Sequence, residues 1–230
     1  ETSVPVTSPE FTTQASDSFP GMLDNAPTTP AAVGGVASII ASGYAAPSGT
    51  NRKVIAVVHC VSSSRISGER TVTWGGRVMR EVVTRGEGGA NFGFETIGIY
   101  ELSEASFPST ETGDVVATLD IGTATQTISV FTIGNVDQGG VNVFEDSRNA
   151  LSDDITPTRL GSLVIGAAAS SNNYPNANWI SGLNRWSVQG TGTSTSLVGY
   201  KSGQANSALT CSVDFTTGRS VMVLAAFEPV

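Results

Sequence analysis

The chain has 230 residues, with 12 basic against 20 acidic side chains, a net charge of −8, and only two lysines, Lys53 and Lys201. An acidic surface without a basic cluster argues against nucleic acid, whose binding rests on neutralising phosphate, and no apolar run approaches the roughly 20 residues of a membrane helix. With 39% hydrophobic and 14% charged residues, the chain is able to bury a large core, and its surface has to be built from Ser, Thr, Asn and Gly.

Residues 1–32 read as an extended arm. Pro5, Pro9, Pro20, Pro27 and Pro30 stand among Thr and Ser, and proline, lacking an N–H and fixing φ, rules out a helix or a central strand there. Phe11, Phe19, Met22 and Leu23 are spaced apolar anchors suited to lying along a neighbouring subunit. A solvated tail is the alternative.

From residue 33 to 230 the pattern is that of one β-domain. Residues 36–44 form the first expected strand. Residues 53–61 (KVIAVVHCV) are a near-continuous apolar run of strand length, suited to a strand buried on both faces. The stretch Thr71-Val72-Thr73-Trp74-Gly75-Gly76-Arg77-Val78 reads as a tight hairpin, because glycine accepts the positive φ that primed turns need. Its return arm is expected to continue to residue 84.

Further strands are expected at 92–102, 114–120 and 125–133. A long polar connection follows over 134–158, with a short strand at 141–144. Residues 160–170 (LGSLVIGAAAS in 160–170) repeat the buried-strand pattern. An Asn- and Pro-rich loop comes next, then strands at 183–188, 194–200, 208–215 and 219–227. The alternation Leu209, Cys211, Val213, Phe215 marks one buried face. A faint internal echo joins Val54-to-Trp74 with Leu163-to-Trp186: buried strand, Ser/Asn-rich loop, strand ending in Trp. About a dozen short strands with no helical periodicity predict an all-β fold, an antiparallel two-sheet sandwich with Greek-key or jelly-roll connections.

The chemistry-bearing residues give little purchase for an enzyme. His59 is the only histidine, it lies inside an apolar run, and there is no G-x-S-x-G elbow. One His and two distant Cys do not make a zinc site. Glu145, Asp146, Asp153 and Asp154 could serve calcium through oxygen ligands, but without an EF-hand pattern they read better as a solvated acidic loop. Glu95 and Glu101 share one strand face, but six residues at about 3.3 Å rise set them roughly 20 Å apart, too far for a glycosidase pair. No catalytic residue, metal or cofactor is therefore expected. Cys60 and Cys211 are either bridged or two buried thiols. Tyr174, Asn176 and Trp179 in the Asn-rich loop could stack on and hydrogen-bond a sugar, with Trp179 as a core residue the competing assignment.

The stretches Arg52-Lys53-Val54-Ile55-Ala56-Val57, Val72-Thr73-Trp74-Gly75-Gly76, Ile99-Tyr100-Glu101-Leu102, Gly134-Asn135-Val136-Asp137-Gln138, Gly161-Ser162-Leu163-Val164-Ile165-Gly166 and Phe227-Glu228-Pro229 together resemble a family of jelly-roll sandwich domains in bacteriophage virion proteins and bacterial surface proteins. The likeness spans about residues 50–229 and leaves out the Pro-rich arm. Members are mostly uncharacterised. The resemblance implies a structural or surface-binding role, at a virion or outside the cell, and carries over no functional residue. The expectation is a non-enzymatic virion or assembly protein (decoration, head-fibre or tail-associated) that contacts other assembly proteins and copies of itself. A carbohydrate-binding module or adhesin, bound to surface glycans through its end loops, is the alternative.

Overall fold

The computed structural model describes residues 20–29, 33–67, 70–86, 92–119, 124–139, 143–148, 151–190, 194–204, 207–216 and 219–230. The described residues form an antiparallel all-β fold, with one 3-10 turn, Glu104–Ser106, and no helix long and apolar enough to cross a membrane.

The first half of the chain supplies β1 (Gly21–Met22), β2 (Val33–Val36), β3 (Ser38–Ala45), β4 (Lys53–Ser67), β5 (Arg70–Trp74), β6 (Arg77–Val78), β7 (Arg80–Gly86), β8 (Phe92–Ser103), β9 (Thr112–Leu119) and β10 (Ala124–Gly134). The second half supplies β11 (Val143–Arg148), β12 (Ser152–Ile155), β13 (Ser162–Ser170), β14 (Trp179–Ser181), β15 (Asn184–Gly190), β16 (Thr195–Gln204), β17 (Leu209–Val213) and β18 (Ser220–Phe227). The connection over 134–158, expected to hold one short strand at 141–144, holds two, β11 and β12, which open the second half.

These strands make four sheets where the sequence suggested two. An outer sheet β3-β9-β5-β6 covers one face of a central sheet β1-β10-β4-β8-β7, in which β2 also pairs with β10. A second central sheet β11-β18-β13-β16-β15 covers the other face and is itself covered by a second outer sheet, β12-β17-β14. Three cores fill the gaps. Val54, Ala56, Val58 and Cys60 of β4 face the first outer sheet with Trp74, Val115 and Ala117. Ile55 and Val57 face the other way, against Leu163, Ile165, Val223 and Phe227. Val164, Ala168, Met222 and Leu224 meet Trp179, Cys211 and Val213 in the third. Successive residues of a strand point to opposite faces. Burial of both faces is therefore what turns 53–61 and 162–170 into continuous apolar runs.

The echo is a true structural repeat. β10-β4-β8-β7 in the first half matches β18-β13-β16-β15 in the second, and β3-β9-β5 matches β12-β17-β14. Even an irregularity recurs: β7 shifts register between Glu81 and Val83, and β15 between Arg185 and Ser187. The bulged residues, Val82 and Trp186, both pack on the core between the two central sheets. Trp179 does not repeat Trp74: it opposes Val213, which matches Leu119 since each sends its N–H to the strand before (Leu151 and Ala37), so Trp179 stands where Arg70 stands in the first half. The echo drawn from sequence had paired Trp74 with Trp186. Trp186 instead meets Phe131 and Tyr200 edge-on, at 4.5 and 5.5 Å between ring centroids.

Two strands expected as single pieces switch sheets. The segment 36–44 breaks at Ala37, so β2 lies in the central sheet and β3 in the outer one. The return arm of the hairpin breaks at Met79, whose N–H donates to the Val72 carbonyl at 2.8 Å while its side chain drops into the first core. Gly75 and Gly76 have φ of 53° and 78°, the two positive values of a type I′ turn.

Trp74 packs edge-on against Tyr44 and Phe107, with centroids at 6.0 and 4.9 Å, and its indole N–H donates to the Tyr44 carbonyl. Trp179 is the large buried ring of the third core, and Gly199 lets it in: a Cβ there would lie 2.2 Å from the indole nitrogen. Truncating a buried aromatic costs about 3–5 kcal/mol. Trp74→Ala and Trp179→Ala should each lower unfolding stability by that order in urea titrations. A loss below about 1 kcal/mol from either would show that its outer sheet is not packed on this ring.

Candidate functional site

Three places gather the residues that sequence reading singled out. The first is the N-terminal strap. Phe11 and Phe19 lie outside the described residues. Met22 and Leu23 are bound to the chain's own central sheet: Met22 pairs with Ile133 in register, and the Leu23 N–H donates to the Thr132 carbonyl at 2.9 Å. Thr28 exchanges two hydrogen bonds with Val130, at 2.8 and 2.9 Å. Residues 20–29, which composition assigned to the arm, are therefore an edge of the folded domain. Strand addition satisfies backbone groups that an open edge would leave to water.

Asp24, which sequence reading passed over, fastens this strap. Its carboxylate accepts from the Thr132 N–H and from the Tyr44 hydroxyl, at 3.0 Å to Oδ2, and that hydroxyl lies 2.6 Å from Thr132 Oγ1. Burial raises the Asp24 carboxyl above its ordinary 3.8, against the pull of these hydrogen bonds. A carboxyl raised in the folded state holds its proton more tightly than in the unfolded chain. Its contribution to stability is present below about 3.8 and is lost as pH rises through the folded value. Asp24→Asn keeps an acceptor and loses the charge. It should flatten that part of the stability–pH curve and leave the protein at least as stable at pH 7, in thermal melts from pH 3 to 8. A steeper fall toward neutral pH than in the parent chain would contradict the assignment.

The second place holds buried charges, and here the carboxylates considered for catalysis find bases. Glu95 meets His59 at 3.1 Å, with both side chains fully buried between the central sheets. Glu101 accepts from Lys53 at 3.1 Å, both sealed from solvent, and from Arg80 Nε at 2.9 Å. Burial pushes the Lys53 ammonium below the ordinary lysine value, with Glu101 opposing, and Phe227 presents its ring to it at 5.9 Å. Arg52 clamps two carboxylates, Glu104 (Nε at 2.7 Å) and Glu111 (2.8 and 2.9 Å). Glu111 holds the guanidinium above its usual range, and Arg52 in turn depresses the Glu111 carboxyl. These pairs knit strands and connections; none opens onto a cavity described here. Removing one partner of a buried pair strands the other charge and costs about 3–5 kcal/mol, whereas replacing both by apolar groups is close to neutral. Glu101→Gln should therefore destabilise strongly, and Lys53→Met combined with Glu101→Gln should recover most of the loss in a double-mutant cycle. Additive losses would show that the pair is not coupled.

The cysteines are two buried thiols, not a bridge: Cys60 lies in the first core and Cys211 in the third. Burial raises both thiols, that of Cys211 to about 12. Glu145 and Asp146 belong to β11 and Asp153 and Asp154 to β12, strands of different sheets. Among the described residues no group of three or more His, Cys, Asp or Glu is placed to hold a metal ion.

The third place is the end loop between β13 and β14. Tyr174 and Asn176 line a cavity of about 270 Å³ together with Asn173, Pro175, Ala177 and Asp214. Trp179 does not reach it; it is core, as one of the two assignments held. The loop is held on every side. The Tyr174 N–H donates to Thr195 Oγ1 at 2.6 Å, and the Asn178 N–H to Asp214 Oδ1 at 2.8 Å. Arg185 donates to the Ala177 carbonyl at 3.2 Å, and the Tyr174 ring stacks on Phe215 at 5.3 Å. Asp214 was missed by sequence reading because it arrives from the far end of β17. No protein-family model, curated protein or solved structure matches this chain.

Proposed function

We propose that the chain is a non-enzymatic structural protein of a virion or another extracellular assembly, in the manner of a decoration, head-fibre or tail-associated protein. It packs as a rigid stack of sandwiches and reaches other assembly proteins, further copies of itself among them, through its N-terminal arm. The strand order of each half supports a jelly-roll description, since first and last strands pair and most successive strands cross between two sheets.

The observation that carries the reading is the strap on β10. An extended, Pro-rich stretch of this chain binds a sheet edge by strand addition, with Met22 and Leu23 as its apolar anchors. Residues 1–19 precede it in the same kind of sequence and bring two further anchors, Phe11 and Phe19. Apolar burial on a neighbour offsets the entropy of ordering such a segment. Deletion of residues 1–19 removes Phe11 and Phe19 and keeps the strand Gly21–Met22 that pairs with β10. Light scattering coupled to size exclusion should give an oligomer for the full chain and a monomer for the deletion, with unchanged thermal unfolding. Equal masses for the two chains would sink the arm's role.

A second reading, a carbohydrate-binding module or adhesin at an extracellular surface, is favoured by the cavity at the 171–178 loop, lined by both amide and aromatic side chains.

A further inference from the structure

We infer that the cavity formed by Asn173, Tyr174, Asn176 and Asp214 is a binding site for a single neutral pyranose ring. The inference rests on the second reading above and gives it an address and a ligand class.

Size comes first. Ligand pockets commonly span about 300–1,000 Å³, and this one, at about 270 Å³, sits at the small end. It suits one ring of a glycan, with the remainder of the chain in solvent.

The functional groups select a polyol. A sugar hydroxyl both donates and accepts, and so needs partners of both kinds. The Asn173 and Asn176 amides each offer an acceptor oxygen and an NH₂ donor. Asp214 offers acceptors: Oδ1 takes the Asn178 N–H, and a carboxylate has about four lone-pair sites, so capacity is left for hydroxyls. The Tyr174 ring, steadied by Phe215, gives an apolar surface for the C–H face of a pyranose.

Charge selects a neutral one. No Lys or Arg is among the lining residues, Arg185 being tied to the Ala177 carbonyl, while Asp214 and the net charge of −8 disfavour phosphates and acidic sugars. The cup is also built before the ligand arrives. Thr195 from β16 and Asp214 beyond β17 pin the loop backbone, so little ordering remains to be done on binding.

The test is saturation-transfer NMR on the full chain with glucose, galactose, mannose, N-acetylglucosamine and sialic acid as probes, beside a glycan array. At least one neutral pyranose should bind at millimolar strength, and sialic acid should not. Asn173 and Asn176 are exposed, so Asn173→Ala and Asn176→Ala should fold normally, as a two-dimensional NMR spectrum will check. Together they should weaken binding about tenfold or more, the loss of roughly 1.4 kcal/mol of hydrogen bonding. Neutral-sugar binding that ignores both substitutions would overturn this site and leave the glycan reading standing elsewhere on the surface. No response to any neutral pyranose would overturn both. A response to sialic acid alone would overturn the ligand class.

Discussion

The whole structure depends on two central sheets that have no face in water. Strands β4, β8 and β10 lie between an outer sheet and the sheet of β13, β16 and β18, which is covered in turn on its far side. Every side chain on these strands must find an apolar or hydrogen-bonded place, because a buried polar group without a partner is costly. The composition follows. Ala, Val and Ile fill 54–58 and, with Leu163 and Gly166, 163–169, and small residues such as Ala167 and Ala169 let the central sheets approach. A polar surface is needed only on the outer sheets and at the ends, so a charged fraction of 14% suffices.

The same constraint governs the few charges inside. Lys53 is one of only two lysines, yet it is fully buried, next to a carboxylate and an aromatic face. His59 and Glu95 are enclosed together. Each is tolerated because its partner lies diagonally across on the neighbouring strand, Glu101 opposite Ile55 and Glu95 opposite Val61, β8 against β4. Removing water strengthens such a pair and also raises the cost of parting it. Charges of this kind fix which strands lie side by side more than they add to stability, a role that apolar residues, which accept many neighbours, perform less selectively.

The β content and most strands are legible in the sequence because period-two alternation and short apolar runs are local signals. The hairpin at Gly75-Gly76 is legible for the same reason. The number of layers is not. A run such as 53–61 announces that both faces are buried without saying by what, and the covering strands come from separate parts of the chain, β3, β5 and β9 on one side and β13 and β18 on the other. The switches at Ala37 and Met79 are hidden because the apolar pattern continues across them while the backbone changes sheet. The repeat was visible only as an echo. Its pairing of Trp74 with Trp186 does not hold, since Trp186 takes the bulged position that Val82 holds in the first half, and position in the sheet decides the match. At the end loop, Tyr174 and Asn176 were legible from their company of Asn and Pro. Asp214 was not, because it reaches the loop by tertiary pairing through Asn178.

Repetition also explains why the two ends of the molecule differ in what they offer. In the first half the hairpin adds β6 as a fourth strand beyond β5. The matching chain in the second half turns at Gly182, with φ of 83°, and sends Leu183 into the core where Met79 sits in the first. Its outer sheet stops at β14, and the loop leading into that strand is tied down by side chains from β16 and from the end of β17 instead of by another strand. The first half, conversely, gains an added edge from residues 20–29, held through Asp24. Two copies of one strand plan thus carry different attachments: residues 20–29 add an edge to one, and the cup of Asn173, Tyr174, Asn176 and Asp214 closes the other. The attachments sit on separate halves, and the double-sided burial that fixes the sheets leaves the loops and edges free to differ.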